Sequence, residues 1–433
     1  MSQTSHQEFL AFIERLRQSE SFVVSRAWGV GDRSGKQDAD LKSKYGEQWI
    51  EFLKGVSEMQ ASASRKFAIC SSNDASDVQT EGRGASPNSS VWWVTQRGLE
   101  QATDAHVARL KAGWFGQHPV HDLCGGLGGD GMQLLERGDL HIVERDPLTA
   151  AMLSENLGRH CTSGHEFSVH VCNLSDYSFS DQSHLHLDPD RRVEGRVARD
   201  PSRFSPTWHE VCAMLVRSAG AVVKYAPATQ IPSEPVPQGD LHRAWIEFAG
   251  SVREQDLLWG DACELAGLEP GRRSAHLIRS DGGVFCYESV GEFDGRADLV
   301  QEVSSLDGSW LIDPRGVIRA AGLTEEFAVT NGCAFLSGPS GFLSLSSHKA
   351  DRVAELKTFC SLGRVEWIGA CDDRKLRKEL RRRDCYPQTI KVRGTDHNPN
   401  ELVKRYRSCG DRPIRLWIGR IGKRVFAAIT DIA

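Results

Sequence analysis

The sequence predicts an α/β protein with a mainly parallel central sheet, preceded by helices and followed by a small basic α+β domain. Three observations carry that expectation. Short apolar runs alternate with helical segments between residues 119 and 227, a glycine-rich turn closes the first of those runs, and Lys and Arg crowd toward the end of the chain.

At 433 residues the chain exceeds what one core usually organises, so two or three domains are expected. Phe9, Phe12, Ile13 and Leu16 recur at helical spacing, as do Trp49, Phe52, Leu53, Val56 and Met59, which predicts an N-terminal helical subdomain over 1–115. Within it, 70–90 is Ser, Asn, Asp, Gly and Thr with almost no large apolar side chain, a composition that predicts a loop. Trp92 and Trp93 end that stretch, and 98–114 reads as one helix. The central domain is expected over 116–292. Its strands are predicted at 120–123, 141–143, 167–171, 184–187 and 221–224, with further strands at 244–248 and 274–287, and its helices at 131–137, 148–160 and 208–218. A connecting α+β segment follows at 293–355. The compact basic domain, 356–433, is expected to run strand, helix, strand, helix and two closing strands from Val365.

The polar start of the chain lacks the basic and apolar regions of a secretory leader, and no run approaches the ~20 apolar residues that a membrane span requires, so a cytoplasmic protein is expected. Twelve cysteines without a CxxC pair read as reduced thiols. His184 and His186 share one strand face beside Leu185 and Leu187, which reads as core or rim histidine, and no metal is expected.

The strongest local signal is the segment HDLCGGLGGDG at 121–131. A strand that ends in Asp122 and turns through Gly125, Gly126, Gly128, Gly129 and Gly131 lets the backbone approach a nucleotide-like ligand without Cβ atoms intervening. Glu144 follows 18 residues after Gly126, at the end of the next strand, where a carboxylate can accept both hydroxyls of a ribose. Those features fit a nicotinamide dinucleotide as well as S-adenosylmethionine (SAM). Charge tilts the balance: Asp122 suits a cationic sulfonium and ammonium and would repel a diphosphate, and Asp130 occupies the helix start where a diphosphate would lie. The fourth strand then runs into Asp188, Pro189, Asp190, Arg191 and Arg192, at the strand ends where substrate meets cofactor in an open α/β sheet.

At these residues the chain resembles class I SAM-dependent methyltransferases, which are Rossmann-like. Residues 120–130, and Val143, Glu144, Arg145, Asp146 and Pro147 further on, look like the first two motifs of that class; DLCGGLGGD is similar to the trimethylguanosine synthase branch, and Gly98 to Thr103 resembles its lead-in helix. Over most of its length the chain resembles bacterial methyltransferases that carry a C-terminal THUMP-like domain, whose DPxRR signature is similar to Asp188, Pro189, Arg191 and Arg192. The resemblance implies that Asp122, Cys124, Gly125, Gly126, Gly128 and Asp130 surround the methionine part of SAM, with Glu144 at the ribose, Asn173 and Leu174 at the adenine, and Gly129 and Arg145 also among the cofactor-binding residues. Many such enzymes have Asp where this chain has Asn173, whose side-chain carbonyl can still accept from an amine. Amine methylases of the class usually follow the acidic residue with Pro-Pro and an aromatic ring. Here Asp190, Arg191 and Arg192 stand instead, offering guanidinium forks suited to phosphate or carboxylate, beside an Asp that can hydrogen-bond an acceptor. The bland reading of this segment is a loop of mutually paired Asp and Arg.

Net charge is −5, yet residues 374–424 hold 17 Lys and Arg against 5 Asp and Glu. The helix at 374–383 contributes Arg374, Lys375, Arg377, Lys378, Arg381 and Arg382, and a second cluster contains Lys404 and Arg405. Such an excess predicts a footprint for a phosphate backbone, with Tyr386, Tyr406 and Trp417 as candidate stacking surfaces. An RNA methyltransferase is the leading expectation. The alternatives are a methyltransferase acting on protein or a small molecule, and a non-catalytic RNA-binding module on a SAM-type fold.

Overall fold

A computed structural model describes residues 47–67 and 91–432 apart from 194, 195, 237, 292, 294, 301–305 and 338–340, with a few positions before residue 47. The predicted loop at 70–90 and most of the first predicted helix lie outside the described residues. The chain forms two compact units, one of Met1–Ala249, Arg253–Arg272 and Ile278–Val284, the other of Gly250–Val252, Arg273–Leu277 and Phe285–Ala433.

The first unit opens with helix α1 (Glu47–Phe67), whose Trp49, Leu53, Val56, Ala63 and Phe67 are buried along one stripe. The stripe joins the same apolar core as Val120, Leu140 and Ile142 of the sheet. Trp92 stacks on His160, and Asn156 exchanges two hydrogen bonds with the Trp93 backbone. The single helix predicted at 98–114 is two, α2 (Gln96–Gln101) and α3 (Ala105–Gly113). Ala102 is extended, and the Asp104 carboxylate accepts from the His106 N–H, so the chain re-caps between them.

The parallel strands follow the predicted alternation: β1 (Val120–Asp122), α4 (Gly129–Leu135), β2 (Leu140–Val143), α5 (Pro147–His160), β3 (Phe167–His170), β4 (His184–Leu187), α6 (Trp208–Leu215) and β5 (Gly220–Tyr225). Two long strands follow, β6 (Leu241–Phe248) and β7 (Ser251–Gly260), and then helix α7 (Asp261–Ala266). The order in this unit is β6-β7-β5-β4-β1-β2-β3, with β3, β2, β1, β4 and β5 parallel and β7 antiparallel to β5. The connections reverse direction between β1 and β4, so a crevice opens at their carboxyl ends. β7 carries no apolar period in the sequence, because Glu254, Gln255 and Asp256 interrupt it, yet all three are buried. The strand predicted at 274–287 is two, β8 (Arg273–Ile278) and β9 (Val284–Glu288), separated by a turn in which Arg279 N–H donates to Gly283 C=O.

The second unit is α+β. Its seven-stranded sheet runs β11 (Ala334–Phe335), β12 (Leu343–Leu345), β10 (Trp310–Pro314), β13 (Cys360–Ala370), β16 (Arg424–Thr430), β15 (Arg412–Ile421) and β14 (Cys385–Val392). Only β14 and β15 pair in parallel. Because β10 hydrogen-bonds directly to β13, residues expected in a connecting segment and residues expected in a terminal domain share one sheet. Helices α8 (Gly316–Ala320), α9 (Thr324–Thr330) and α10 (Val353–Leu356) precede β13. Helices α11 (Asp373–Arg382) and α12 (Pro399–Tyr406) bury Leu376, Leu380, Leu402 and Tyr406 against Ile414, Leu416 and Ile418.

Candidate cofactor and acceptor site

The glycine turn leaves β1 at Asp122 and enters α4 at Gly129. Two of its glycines are in the left-handed region, Gly126 at φ +53° and Gly128 at φ +88°, where a side chain is strained. A Cβ at Gly125 would strike Ile142, whereas one at Gly126 would meet nothing within 4 Å. The loop is therefore packed on one side and open on the other, as a ligand-bearing turn requires. Glu144 lies beyond β2 beside the turn, accepting from Gly126 N–H at 3.0 Å and Asp146 N–H at 2.8 Å. Burial pushes its carboxyl up, and those two N–H groups oppose the shift. Each oxygen keeps a lone pair for a ribose diol, so the residues fit the nucleoside end of SAM. Cys124 is half-buried beside the turn, and Asn173 and Leu174 follow β3; Asn173 is exposed, its amide donating to Asp176 at 3.4 Å.

Asp122 and Asp130 do not face the open side, which corrects the charge argument made from the sequence. Asp122 is buried, and its Oδ1 lies 3.0 Å from His186 Nδ1 on the neighbouring strand. Asp130 contacts Lys111 Nζ at 2.7 Å and accepts from Thr103 Oγ1 at 2.6 Å. Both carboxylates hold the loop from beneath. Glu144 is the carboxylate of the turn that remains for a ligand.

Beneath the crevice runs a buried charge network that the sequence reading did not anticipate. Lys111, 1% exposed, bridges Asp130 and Glu254 at 2.7 and 2.8 Å. Lys224, near the end of β5, donates to Asp188 Oδ2 at 2.6 Å and Thr103 Oγ1 at 3.1 Å, and stands 4.0 Å from Glu254. Burial would push both ammonium groups down. The carboxylates override it, Asp130 and Glu254 at Lys111, Asp188 and Glu254 at Lys224, so both lie well above the usual lysine range. His186 is raised in the same way by Asp122 and Asp130 against burial. Asp256 moves the other way: burial and then Glu254 push its carboxyl up. The only signals of this network in the sequence were one Lys closing the apolar run of β5, one Lys inside an apolar helix, and acidic residues at a two-residue period in β7.

Asp188 emerges from β4 with its side chain 35% exposed, held by Lys224 on one oxygen. Pro189 is buried. Asp190 does not pair with Arg191 or Arg192 side chains; it exchanges backbone hydrogen bonds with Ser205, accepts from Arg192 N–H at 3.0 Å and lies 3.6 Å from Arg145. Arg145 thus lies beside both Glu144 and Asp190. Arg191 is exposed, and neither Arg191 nor Arg192 has an ion pair among the described residues.

In the second unit, Arg374, Lys375, Lys378, Arg381, Arg382, Lys404 and Arg405 are exposed and Arg377 is half-buried. The helix is partly self-paired: Asp373 holds Arg377 at 3.0 Å and Arg405 at 3.8 Å, and Glu379 holds Arg382 and Arg383. The two arginines draw the Glu379 carboxyl down to about 2. Arg374, Lys375, Lys378, Arg381 and Lys404 have no carboxylate partner among the described residues. Two expected stacking surfaces are core: Trp417 is fully buried and donates to Thr430, and Tyr406 is buried with its hydroxyl on Asp373. Tyr386 is half-buried.

No known family profile matches the chain. It is 29% identical over 347 residues to an uncharacterized S-adenosylmethionine-dependent methyltransferase of Mycobacterium tuberculosis strain CDC 1551 / Oshkosh, covering 79% of this chain and 88% of that one. The counterpart in strain ATCC 25618 / H37Rv matches to the same extent. The crystal structure of a protein described as a methyltransferase from Porphyromonas gingivalis W83 superposes with a TM-score of 0.65 at 16% identity, covering 99% of each chain. That likeness establishes a shared fold over the whole chain. The chain is a SAM-dependent methyltransferase.

Proposed function

We propose that the methyl acceptor is RNA, held by cations of the second unit, with Asp188 orienting the atom to be methylated. The observation that carries this reading is the row of exposed cations Arg374, Lys378 and Arg381 along one face of α11, flanked by Lys375 and Lys404, none matched by a carboxylate. The resemblance of this α+β unit to THUMP-like domains supports the same partner, and an RNA acceptor fits a cytoplasmic enzyme. Among the described residues no helix is long and apolar enough to cross a membrane.

Bound SAM supplies a methyl group on a sulfonium, so the leaving group needs no proton. What remains for the protein is proximity and orientation. Lys224 fixes one oxygen of Asp188 and leaves Oδ1 to accept a hydrogen bond from an acceptor amine or hydroxyl. Lys224 also contacts Thr103, which donates to Asp130 at the start of α4, so the acceptor carboxylate and the cofactor turn share one rigid network.

Radiolabelled methyl transfer from SAM to total RNA and a salt titration of RNA binding test the reading. Five unmatched cations predict log K against log salt with a slope of about −3 to −4 on single-stranded RNA. Label appearing in protein or small molecules alone, or no RNA binding at low salt, overturns it.

A further inference from the structure

A second charge arrangement lies in the second unit, apart from α11. At the end of β10 the Asp313 carboxylate is 4% exposed and meets three cations: Arg319 at 3.1 Å, Lys391 at 3.3 Å and Arg393 at 3.0 Å. They come from α8, from β14 and from the residue after β14. Arg393 grips Asp313 with two nitrogens, Nε on Oδ1 and Nη2 on Oδ2. Lys391 on the edge strand and Arg393 just past its end lie two residues apart and so share a face. Next to them, exposed Arg420 donates to Gly394 C=O.

A buried carboxylate needs one cation; this one has three. Like charges about 4 Å apart repel by roughly 4 kcal/mol at an effective dielectric near 20, so a structural pair would not gather the other two. Burial and Arg393 both push the Arg319 guanidinium down, and Asp313 opposes them. The excess is also reachable, because the Arg319, Lys391 and Arg393 side chains are 15%, 31% and 36% exposed. Two surplus positive charges, one a planar fork and one a compact ammonium, match a tetrahedral oxyanion with several acceptor oxygens.

We propose that Arg319, Lys391 and Arg393, clustered on Asp313, form a binding site for a phosphate group. The phosphate comes from an RNA backbone, in which case the site deepens the RNA reading, or from a phosphate ester in solution. Lys391 is the member to remove, because Asp313 keeps two arginines without it.

The experiment measures thermal stability in inorganic phosphate against chloride at matched ionic strength. Phosphate is expected to raise the Tm of the full chain by a few degrees and to leave Lys391→Gln unmoved, with Lys391→Arg restoring the effect. Independently of that variant's folding, phosphate should protect Lys391 of the wild-type chain from amine acetylation read by mass spectrometry. Competition with a short oligoribonucleotide separates the sources. If RNA displaces phosphate and Lys391→Gln lowers the RNA salt slope by about one, the ligand is a phosphodiester. If phosphate binds and RNA neither competes nor responds, the site takes a solution phosphate, and the RNA reading stands or falls on methyl transfer alone. An equal Tm rise in wild type and Lys391→Gln, or an unprotected Lys391, overturns the site.

Discussion

Glu144 and Asp122 show how differently two carboxylates of one motif are used. Both were legible as members of a cofactor turn, one ending β1 and the other following β2, but only geometry separates them. Asp122 spends its charge on His186 beneath the loop, while Glu144 keeps lone pairs on the open side. Glu144→Ala is accordingly expected to weaken SAM binding by about 1–3 kcal/mol, the cost of leaving ribose hydroxyls without their partner. Isothermal titration with SAM reads this directly, and unchanged affinity removes Glu144 from the ribose role. The network beneath was not legible residue by residue. A lysine in an apolar helix, such as Lys111, reads as a solvated position until the strand carrying Glu254 is placed against it.

Elements declared themselves in the sequence in proportion to how apolar their buried faces are. β1, β2, β4 and β5 are short hydrophobic runs and were predicted within a residue or two. β7 buries Glu254, Gln255 and Asp256 and was missed, because burial satisfied by ion pairs and hydrogen bonds leaves no periodic apolar signal. At the second unit's Arg-rich end, edge strand β14 and its neighbour β15 begin at Cys385 and Arg412, where Pro387 and Arg412 leave the start of each strand without a clear apolar pattern. The glycine turn separates its own tasks at this scale. Gly125→Ala drives a Cβ into Ile142 and should cost about 1–3 kcal/mol of stability by overpacking. Gly126→Ala meets open space, so its strain is confined to φ +53° and costs about 1–2 kcal/mol, while its methyl enters the side from which a ligand approaches. Denaturation midpoints and SAM affinities of the two variants should therefore rank oppositely, Gly125→Ala the less stable and Gly126→Ala the weaker binder. Equal ranking in both measurements would contradict the division of the turn into a packed and an open side.

At the scale of the whole molecule two histidines on neighbouring strands contribute to the pH dependence of stability with opposite signs. His121 on β1 is drawn down to about 4, first by burial and then by His141 on β2 and His170 on β3, with Tyr177 hydrogen-bonded to its ring at 2.7 Å. Its unfolded value is near 6.5, so between about pH 6.5 and 4 the unfolded chain binds the proton that the folded one refuses. That contribution is complete above pH 6.5 and is lost as pH falls through the window. His186 on β4 is raised by Asp122 and Asp130 against burial and against the nearby Lys111 charge. Its contribution is complete below the unfolded value and is lost as pH rises through the higher folded one. Together they predict a maximum of stability near neutrality with flanks of different origin. His121→Gln, which keeps a partner for Tyr177, should flatten the acid flank between pH 6.5 and 4 and leave the alkaline flank unchanged. His186→Asn should do the reverse while lowering stability throughout, because it strips a charge partner from buried Asp122. Urea midpoints at half-unit pH intervals measure both slopes, and an acid flank as steep in His121→Gln as in the wild type would show that the histidine cluster does not set it.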